Sequence, residues 1–322
     1  MNPIVSVVTP CLNGEEYIDR YAGSLLSQDY TPLQIIFMDD GSTDKTKEKI
    51  EGYRKKFEEK GYSLEYYYHS NRGQAATIRA GLLHVRGDYL IWPDVDDYMP
   101  GDSIRKKVDF LESYPDYGIV RTDFKTVMDS DLNKSIGRGA KIYPGRFKKK
   151  VFEDYVNRSN AWYQPGCFMI RMEKLREANP DLYIFDSSIG QNIQMLLPMF
   201  YYSKCGYIDE ELFYYVAHSD SHSYKANKDY LSRIHSQQLE EECMNATIKN
   251  MKIPDDDRYM KMNHISSVRV LLDIAYKAGN RADAKSYYIE LKRSGAADLR
   301  SFIKRYFTGI PIVAKLVSRI HV

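Results

Sequence analysis

The chain has 322 residues, with 46 Lys plus Arg against 44 Asp plus Glu and a formal net charge of +2. So even a balance gives no global attraction to nucleic acid. With 43% hydrophobic and 28% charged residues, the composition is that of a globular chain long enough for one large domain and a smaller one. The four cysteines, at 11, 167, 205 and 243, show no CxxC spacing, so zinc and dithiol motifs are excluded and a reducing compartment is expected. No run reaches the roughly 18 apolar residues of a membrane span. Met1-Asn2-Pro3 leads directly into a strand, without a basic or apolar leader. The expectation is a cytoplasmic chain, or one peripheral on the inner face of the plasma membrane.

Ile4 to Thr9 is a continuous β-branched run closed by Pro10, the pattern of a strand buried on both faces. Glu15 to Gln28 has helical period. A second strand covers Gln34 to Met38, and a charged helix capped by Thr43 runs to Lys60. Leu64 to Tyr68 is a strand, Gln74 to Val85 a helix, and Asp88 to Trp92 a strand. This alternation predicts βαβ units and a parallel, doubly wound sheet. Asp102 to Glu112 then reads as a helix and Gly118 to Thr122 as a strand. Residues 129–150 read as a basic loop, either solvated or a flap over an anionic donor. Cys167 to Arg171 is a strand, Gln191 to Tyr202 a helix, and Phe213 to Val216 a strand. Beyond a boundary near 225 the pattern is helical, over 230–252, 258–278 and 281–293, with a turn at Gly279-Asn280. The expected domains are therefore 1–225 and 226–322. Residues 299–322 hold Arg300, Lys304, Arg305, Lys315 and Arg319 and no acid, among many apolar residues. Such a tail lies on an anionic membrane surface, or docks on its own domain with a basic outer face.

Three polar clusters fall at strand ends, where ligands of doubly wound sheets bind. They are Asp39-Asp40-Gly41-Ser42, Asn71-Arg72-Gly73-Gln74 and Asp94-Val95-Asp96-Asp97. The three carboxylates of the last repel one another unless water solvates them fully or a cation sits among them. A hard divalent cation takes oxygen ligands and keeps positions open for phosphates. Asp39 can accept from a nucleobase imide or a ribose hydroxyl, with Thr9 on the neighbouring strand, or can merely close an Asp-Gly turn. Arg79 reaches a ribose or a diphosphate, or an ion pair within the protein. No GxGxxG or Walker A sequence occurs.

In order and spacing, Ser6 to Asn13, Ser27-Gln28, Asp39 to Asp44 and Gly87 to Asp97 resemble the opening and the DxD strand of family 2 glycosyltransferases. The resemblance covers about residues 4–125, and 160–225 more loosely. It implies a GT-A fold, a Rossmann-like, mostly parallel α/β sheet flanked by helices, here with a C-terminal helical extension. It also implies a nucleotide-sugar donor, often UDP-linked, Mn²⁺ or Mg²⁺, and transfer with inversion to a glycan or lipid-linked oligosaccharide of a cell-surface polysaccharide such as capsule or lipopolysaccharide. By matching position, Asp39 and Asp40 face the nucleobase, Thr9 and Pro10 line that pocket with Asn13, and Arg79 lies near the nucleotide. Asp94 contacts ribose or metal-bound water and Asp96 ligates the metal, with His218 beside it; Asp97 and Tyr163 fall on the acceptor side. Trp162 could also stack on a sugar, whereas Trp92 reads as core.

Two positions depart from the family pattern. Leu12 stands where an aromatic is common. Gln191-Asn192 stands where many members carry Glu-Asp, and an amide cannot be a carboxylate base. Asp186 is the replacement expected for that role, with Gln191 and Asn192 orienting the acceptor. Two other readings follow: a nucleotide-sugar-binding protein with weak catalysis, and a metal-dependent nucleotidyltransferase.

Overall fold

The computed structural model describes residues 2–137, 139–218 and 229–309. They form two compact units, one of residues 2–155 with 159–218, the other of 156–158 with 229–309. The boundary expected near 225 falls outside the described residues.

The first unit is a mixed α/β layer structure. Its elements are β1 (Val5–Cys11), α1 (Ile18–Leu26), β2 (Leu33–Asp39), α2 (Thr46–Gly52), α3 (Arg54–Glu59), β3 (Ser63–Tyr68), α4 (Gln74–Leu82), β4 (Tyr89–Ile91), α5 (Ser103–Ser113), β5 (Tyr117–Met128), β6 (Asp131–Ser135), α6 (Phe152–Val156), β7 (Phe168–Arg171), α7 (Met172–Ala178), α8 (Gln191–Tyr202) and β8 (Lys204–Ala217). The sheet order is β3-β2-β1-β4-β7-β5-β6, with β8 pairing β5. β3, β2, β1 and β4 run parallel, β7 is antiparallel to β4 and β5, and β8 is parallel to β5. Every residue of β1 and β2 is buried, as their unbroken apolar runs predict.

β4 decides where the site lies. It pairs with β1 only over Val5 to Val7 and stops at Ile91, so Val8 to Cys11 extend past it. Pro10, which has no N–H to donate, sits in this stretch, which pairs with β2 alone. α4 covers β1 closely: a Cβ on Gly81 would stand 2.6 Å from Val8 Cγ1. That packing fixes the α4 N-terminus beside the strand ends.

Three segments differ from expectation. The charged helix is two helices, α2 and α3, and the Asp44 carboxylate, not Thr43, accepts the Thr46 N–H at 3.0 Å. Instead of a loop from 129, the chain makes the β5–β6 hairpin and 3₁₀ turns at Gly139–Ile142 and Pro144–Phe147. The basic stretch after them is tied down, because the buried Arg121 guanidinium donates to the Arg146 carbonyl at 2.9 Å and lies 4.3 Å from the Trp162 ring.

The second unit contains α9 (Tyr230–Asn250), α10 (Asp256–Lys277), α11 (Arg281–Arg293) and α12 (Leu299–Tyr306). Val268, Leu272, Ala275, Ala284 and Leu291 form its buried core. Gly279, at φ +72, makes the expected turn between α10 and α11. Among the described residues no helix is long and apolar enough to cross a membrane. Residues 310–322, and His222, lie outside the described residues.

Candidate active site

Two acidic groups stand at the carboxyl edge of the parallel strands. The first closes β2. Asp39 accepts the Ser42 N–H at 2.7 Å and the Tyr66 hydroxyl at 2.6 Å. Asp40 accepts the Arg72 and Gly73 N–H groups at 2.7 and 3.0 Å, and His69 Nδ1 lies 3.3 Å from it. Gly41, at φ +93, allows the close approach of the 70–73 segment, since a Cβ there would stand 2.8 Å from the Asn71 nitrogen. Asn13, at φ +51, links the β1 end to the same turn. Its side chain accepts from Thr43 N–H at 2.9 Å and its own N–H donates to Ser42 Oγ at 2.8 Å.

The second group follows β4. Oxygens of Asp94, Asp96 and Asp97 all lie within 4.8 Å of one another. Asp94 accepts from Gln74 Nε2 at 2.7 Å, and Asp96 Oδ2 is 2.7 Å from His218 Nε2. Asp97 is fully buried; its Oδ1 accepts the Val216 N–H at 2.8 Å, while its buried Oδ2 has no hydrogen-bond partner. Burial, reinforced by the charge of Asp96 and opposed by Gln74, pushes the Asp94 carboxyl up to about 8. Burial and the charges of Asp96 and Asp94 push Asp97 well above its ordinary value. The loop is braced from outside. Arg20 donates to the Asp96 carbonyl at 2.6 Å and to Asp129 at 2.8 Å, and Tyr98 and Tyr214 exchange backbone hydrogen bonds.

A metal fits this second group by the chemistry of the donors. Three carboxylates converge, one of them with an orphaned buried oxygen, and the set is all oxygen, which suits Mg²⁺ or Mn²⁺. The set differs from the one expected. Asp97, expected on the acceptor side, points inward towards β8 and joins the other two carboxylates. His218 meets the Asp96 carboxylate.

Other expected positions move as well. Thr9 is fully buried with its hydroxyl bonded to Tyr21, and Pro10 is buried, so neither lines an open pocket. Arg79 and Asp186 meet each other, 3.5 Å apart, and Arg79 also donates to the Ile184 carbonyl. Asn192 is committed on both sides: it accepts from Trp92 Nε1 at 2.9 Å and donates to the Tyr163 carbonyl at 3.1 Å. It therefore joins the β4 end to the 163 segment rather than presenting its amide to an acceptor. Gln191, half-buried, opens α8 after Gly190, whose φ is +81. Tyr163 is half-buried and packs edge-on against Tyr155; Trp162 is buried between Tyr143 and Arg121. Gln74, Arg20, Tyr66 and His69 were missed by sequence reasoning. Gln74 had a signal, its place in the polar cluster at the N-terminus of α4; the others have none without the fold.

The sequence model of the family described as Glycosyl transferase family 2 matches residues 6–178, more than half of the chain. The chain belongs to that family. The putative teichuronic acid biosynthesis glycosyltransferase TuaG of Bacillus subtilis is 32% identical over 109 residues, 34% of this chain and 42% of TuaG. The chain spans between 42% and 56% of the first curated relatives it matches. Among solved structures, Staphylococcus aureus TarS 1–349 in complex with UDP-GlcNAc superposes with a TM-score of 0.62 at 16% identity, covering 95% of this chain and 87% of that one. The mannosyltransferase PcManGT of Pyrobaculum calidifontis, in complex with GDP-Man and Mn²⁺, gives 0.57 at 17% identity, covering 98% and 87%. The shared fold is GT-A, a mostly parallel sheet flanked by helices. Within this family-2 chain, both acidic groups lie at the carboxyl edge of the parallel strands.

Proposed function

We propose that this family-2 chain is an inverting, metal-dependent glycosyltransferase. It moves a hexosyl or N-acetylhexosaminyl group from a UDP-sugar to a hydroxyl of a glycan or lipid-linked oligosaccharide in cell-surface polysaccharide synthesis. The observation that carries the reading is the convergence of Asp94, Asp96 and Asp97 with one buried oxygen unpartnered. The UDP-GlcNAc held by TarS and the GDP-Man and Mn²⁺ held by PcManGT support a sugar nucleotide with a divalent ion.

In this reading residues 1–225 carry the donor and acceptor chemistry, and 226–322 form a helical domain. Asp94, Asp96 and Asp97 hold the ion, and His218 orients the Asp96 carboxylate. The ion when bound supplies Lewis-acid neutralisation of the charge that builds on the departing nucleotide diphosphate. The turn made by Asn13, Asp39 and Asp40 shapes the nucleotide side; each carboxylate oxygen keeps a lone pair beyond its protein bond. Arg79 orients Asp186, which takes the proton from the acceptor hydroxyl in place of residue 192. The chain acts in the cytoplasm, at the inner face of the membrane that carries its acceptor.

The test is nucleotide release from a panel of UDP- and GDP-sugars with and without Mn²⁺, beside thermal shifts with the same ligands. Mn²⁺-dependent UDP release supports the reading. Retention of UDP without turnover under any acceptor favours the weak-catalysis reading, which the doubly bonded Asn192 motivates. No retention of any nucleotide ends both.

A further inference from the structure

α12 is amphipathic in the inverted sense. Its inward residues Ser301 and Lys304, with Thr308 just past its end, are polar and 4%, 7% and 1% exposed. Its outward residues Leu299, Phe302 and Tyr306, with the C-cap Phe307, are apolar and 74%, 42%, 57% and 38% exposed. The inward face is locked. Lys304 Nζ lies 2.7 Å from Asp273, which also pairs with Lys277 at 2.7 Å. Ser301 and Asp298 form a reciprocal cap, and the Thr308 hydroxyl donates to the Lys304 carbonyl. Rotating the helix to hide its aromatic face would strand the Lys304 ammonium and break the cap.

At 100° per residue the outward stripe spans Phe302, Tyr306, Leu299, Ile303 and Phe307. Arg300 lies on one flank and Arg305 on the other. Arg305 sits 5.3 Å from the Tyr306 ring. Tyr288 of α11 extends the stripe, with ring centroids 6.3 Å from Phe302 and 6.2 Å from Tyr306. A contiguous exposed patch of this kind marks a contact surface. Aromatic rings flanked by guanidinium groups match a lipid interface, where rings sit at headgroup depth and arginines meet phosphate.

We propose that this face of α12 with Tyr288 docks on an anionic phospholipid surface. The proposal deepens the membrane-face part of the function proposed above and rests on it for its setting. Charge selects the occupant. Residues 299–322 carry five Lys or Arg and no Asp or Glu. Folding 310–322 back over the patch, or pairing it with the same patch of a second copy, would add positive charge to positive charge. With Lys304 paired inward to Asp273, four of these charges remain for an anionic layer to neutralise.

The experiment is co-sedimentation of the full chain with phosphatidylcholine vesicles, with and without phosphatidylglycerol, across a salt series. The wild type is expected to bind only the anionic vesicles. Phe302→Asp with Tyr306→Asp is expected to weaken binding at least about tenfold. Arg300→Glu with Arg305→Glu is expected to weaken it roughly 20-fold or more and to flatten the salt dependence; these charges, one exposed and one half-buried, keep the test open if the aromatic variant fails to fold. Equal binding to neutral vesicles overturns the proposal. So does loss of binding in Ile312→Asp with Leu316→Asp while Phe302→Asp with Tyr306→Asp binds as wild type, since the segment after α12 would then be the anchor. A dimer that the aromatic variant splits, with no vesicle binding, overturns it in favour of a second copy. Vesicle binding without UDP retention removes the glycosyl-transfer reading and leaves this surface standing; the reverse removes this surface alone.

Discussion

The two acidic groups at the sheet edge are built from the same side chain and solve opposite problems. Asp39 and Asp40, at the end of β2, spend their oxygens on Ser42, Arg72 and Gly73 N–H groups and the Tyr66 hydroxyl. Backbone dipoles already compensate their charge, so the turn is complete as protein. Half-buried Asp94 and Asp96 converge on buried Asp97 and leave its Oδ2 without a donor. Burial, reinforced by their mutual repulsion, holds the Asp94 and Asp97 carboxyls raised. The first group is a scaffold, and the second leaves room for the cation proposed above.

The largest expected effect is on the second group. Asp96→Ala should cut Mn²⁺-dependent nucleotide release by about a thousandfold, the scale of lost transition-state charge stabilisation. It should also erase the Mn²⁺ thermal shift while leaving the metal-free melting point no lower. A variant that melts much earlier without metal would show that Asp96 is structural, and the contrast would collapse.

Next in size is the response to pH. In the metal-free fold Asp94 keeps its proton to about 8, whereas unfolded it loses it near the ordinary carboxylate value. Between those values the native state binds more protons, so stability is full at low pH and falls as pH rises towards 8. Chelated protein should therefore melt several degrees earlier at pH 8 than at pH 5, and Mn²⁺ should remove most of the difference. A flat profile without metal would mean that the carboxylates are solvated.

Removing a first-group carboxylate should act on stability instead. Asp40→Ala strands the Arg72 and Gly73 N–H groups and should cost about 2–3 kcal/mol, read by denaturant melts, with Mn²⁺ dependence intact. Asn192→Asp should be milder. It can still accept from Trp92 but can no longer donate to the Tyr163 carbonyl, for a loss of about 1 kcal/mol. A rise in turnover in that variant would move the base from Asp186 to position 192.

The parallel half of the fold was legible because strands buried on both faces read as unbroken apolar runs, as in β1 and β2. The antiparallel half was legible only in part: β7 and the start of β5 read as strands, the rest did not. β6 is a half-exposed to exposed, polar hairpin strand, Asp131–Ser135, with no apolar alternation. β5 hides Arg121 and Asp123 where a core strand would show apolar residues. The position of the acidic clusters followed from strand order alone. Which carboxylates were satisfied did not, because the donors come from the backbone of 72–73 and from β8, which only folding brings near. The inverted face of α12 was equally hidden: periodicity marks a helix as amphipathic but does not say which face turns inward.

The smallest effect tests whether the first group shapes a nucleobase pocket as well as a turn. Leu12 is 41% exposed and follows β1 directly, next to Asn13 and the Asp39–Thr43 turn. An exposed residue contributes little to packing, so Leu12→Tyr should leave the melting point of the free protein unchanged. A ring at that position offers a stacking face to a base, worth about 1 kcal/mol at the low end of such contacts. UDP affinity should rise about fivefold by calorimetry, while ribose 5-phosphate, which has no base to stack, should bind as before. An equal gain for both ligands would trace the effect to the loop rather than the base, and no gain at all would place the nucleobase away from the β2 turn.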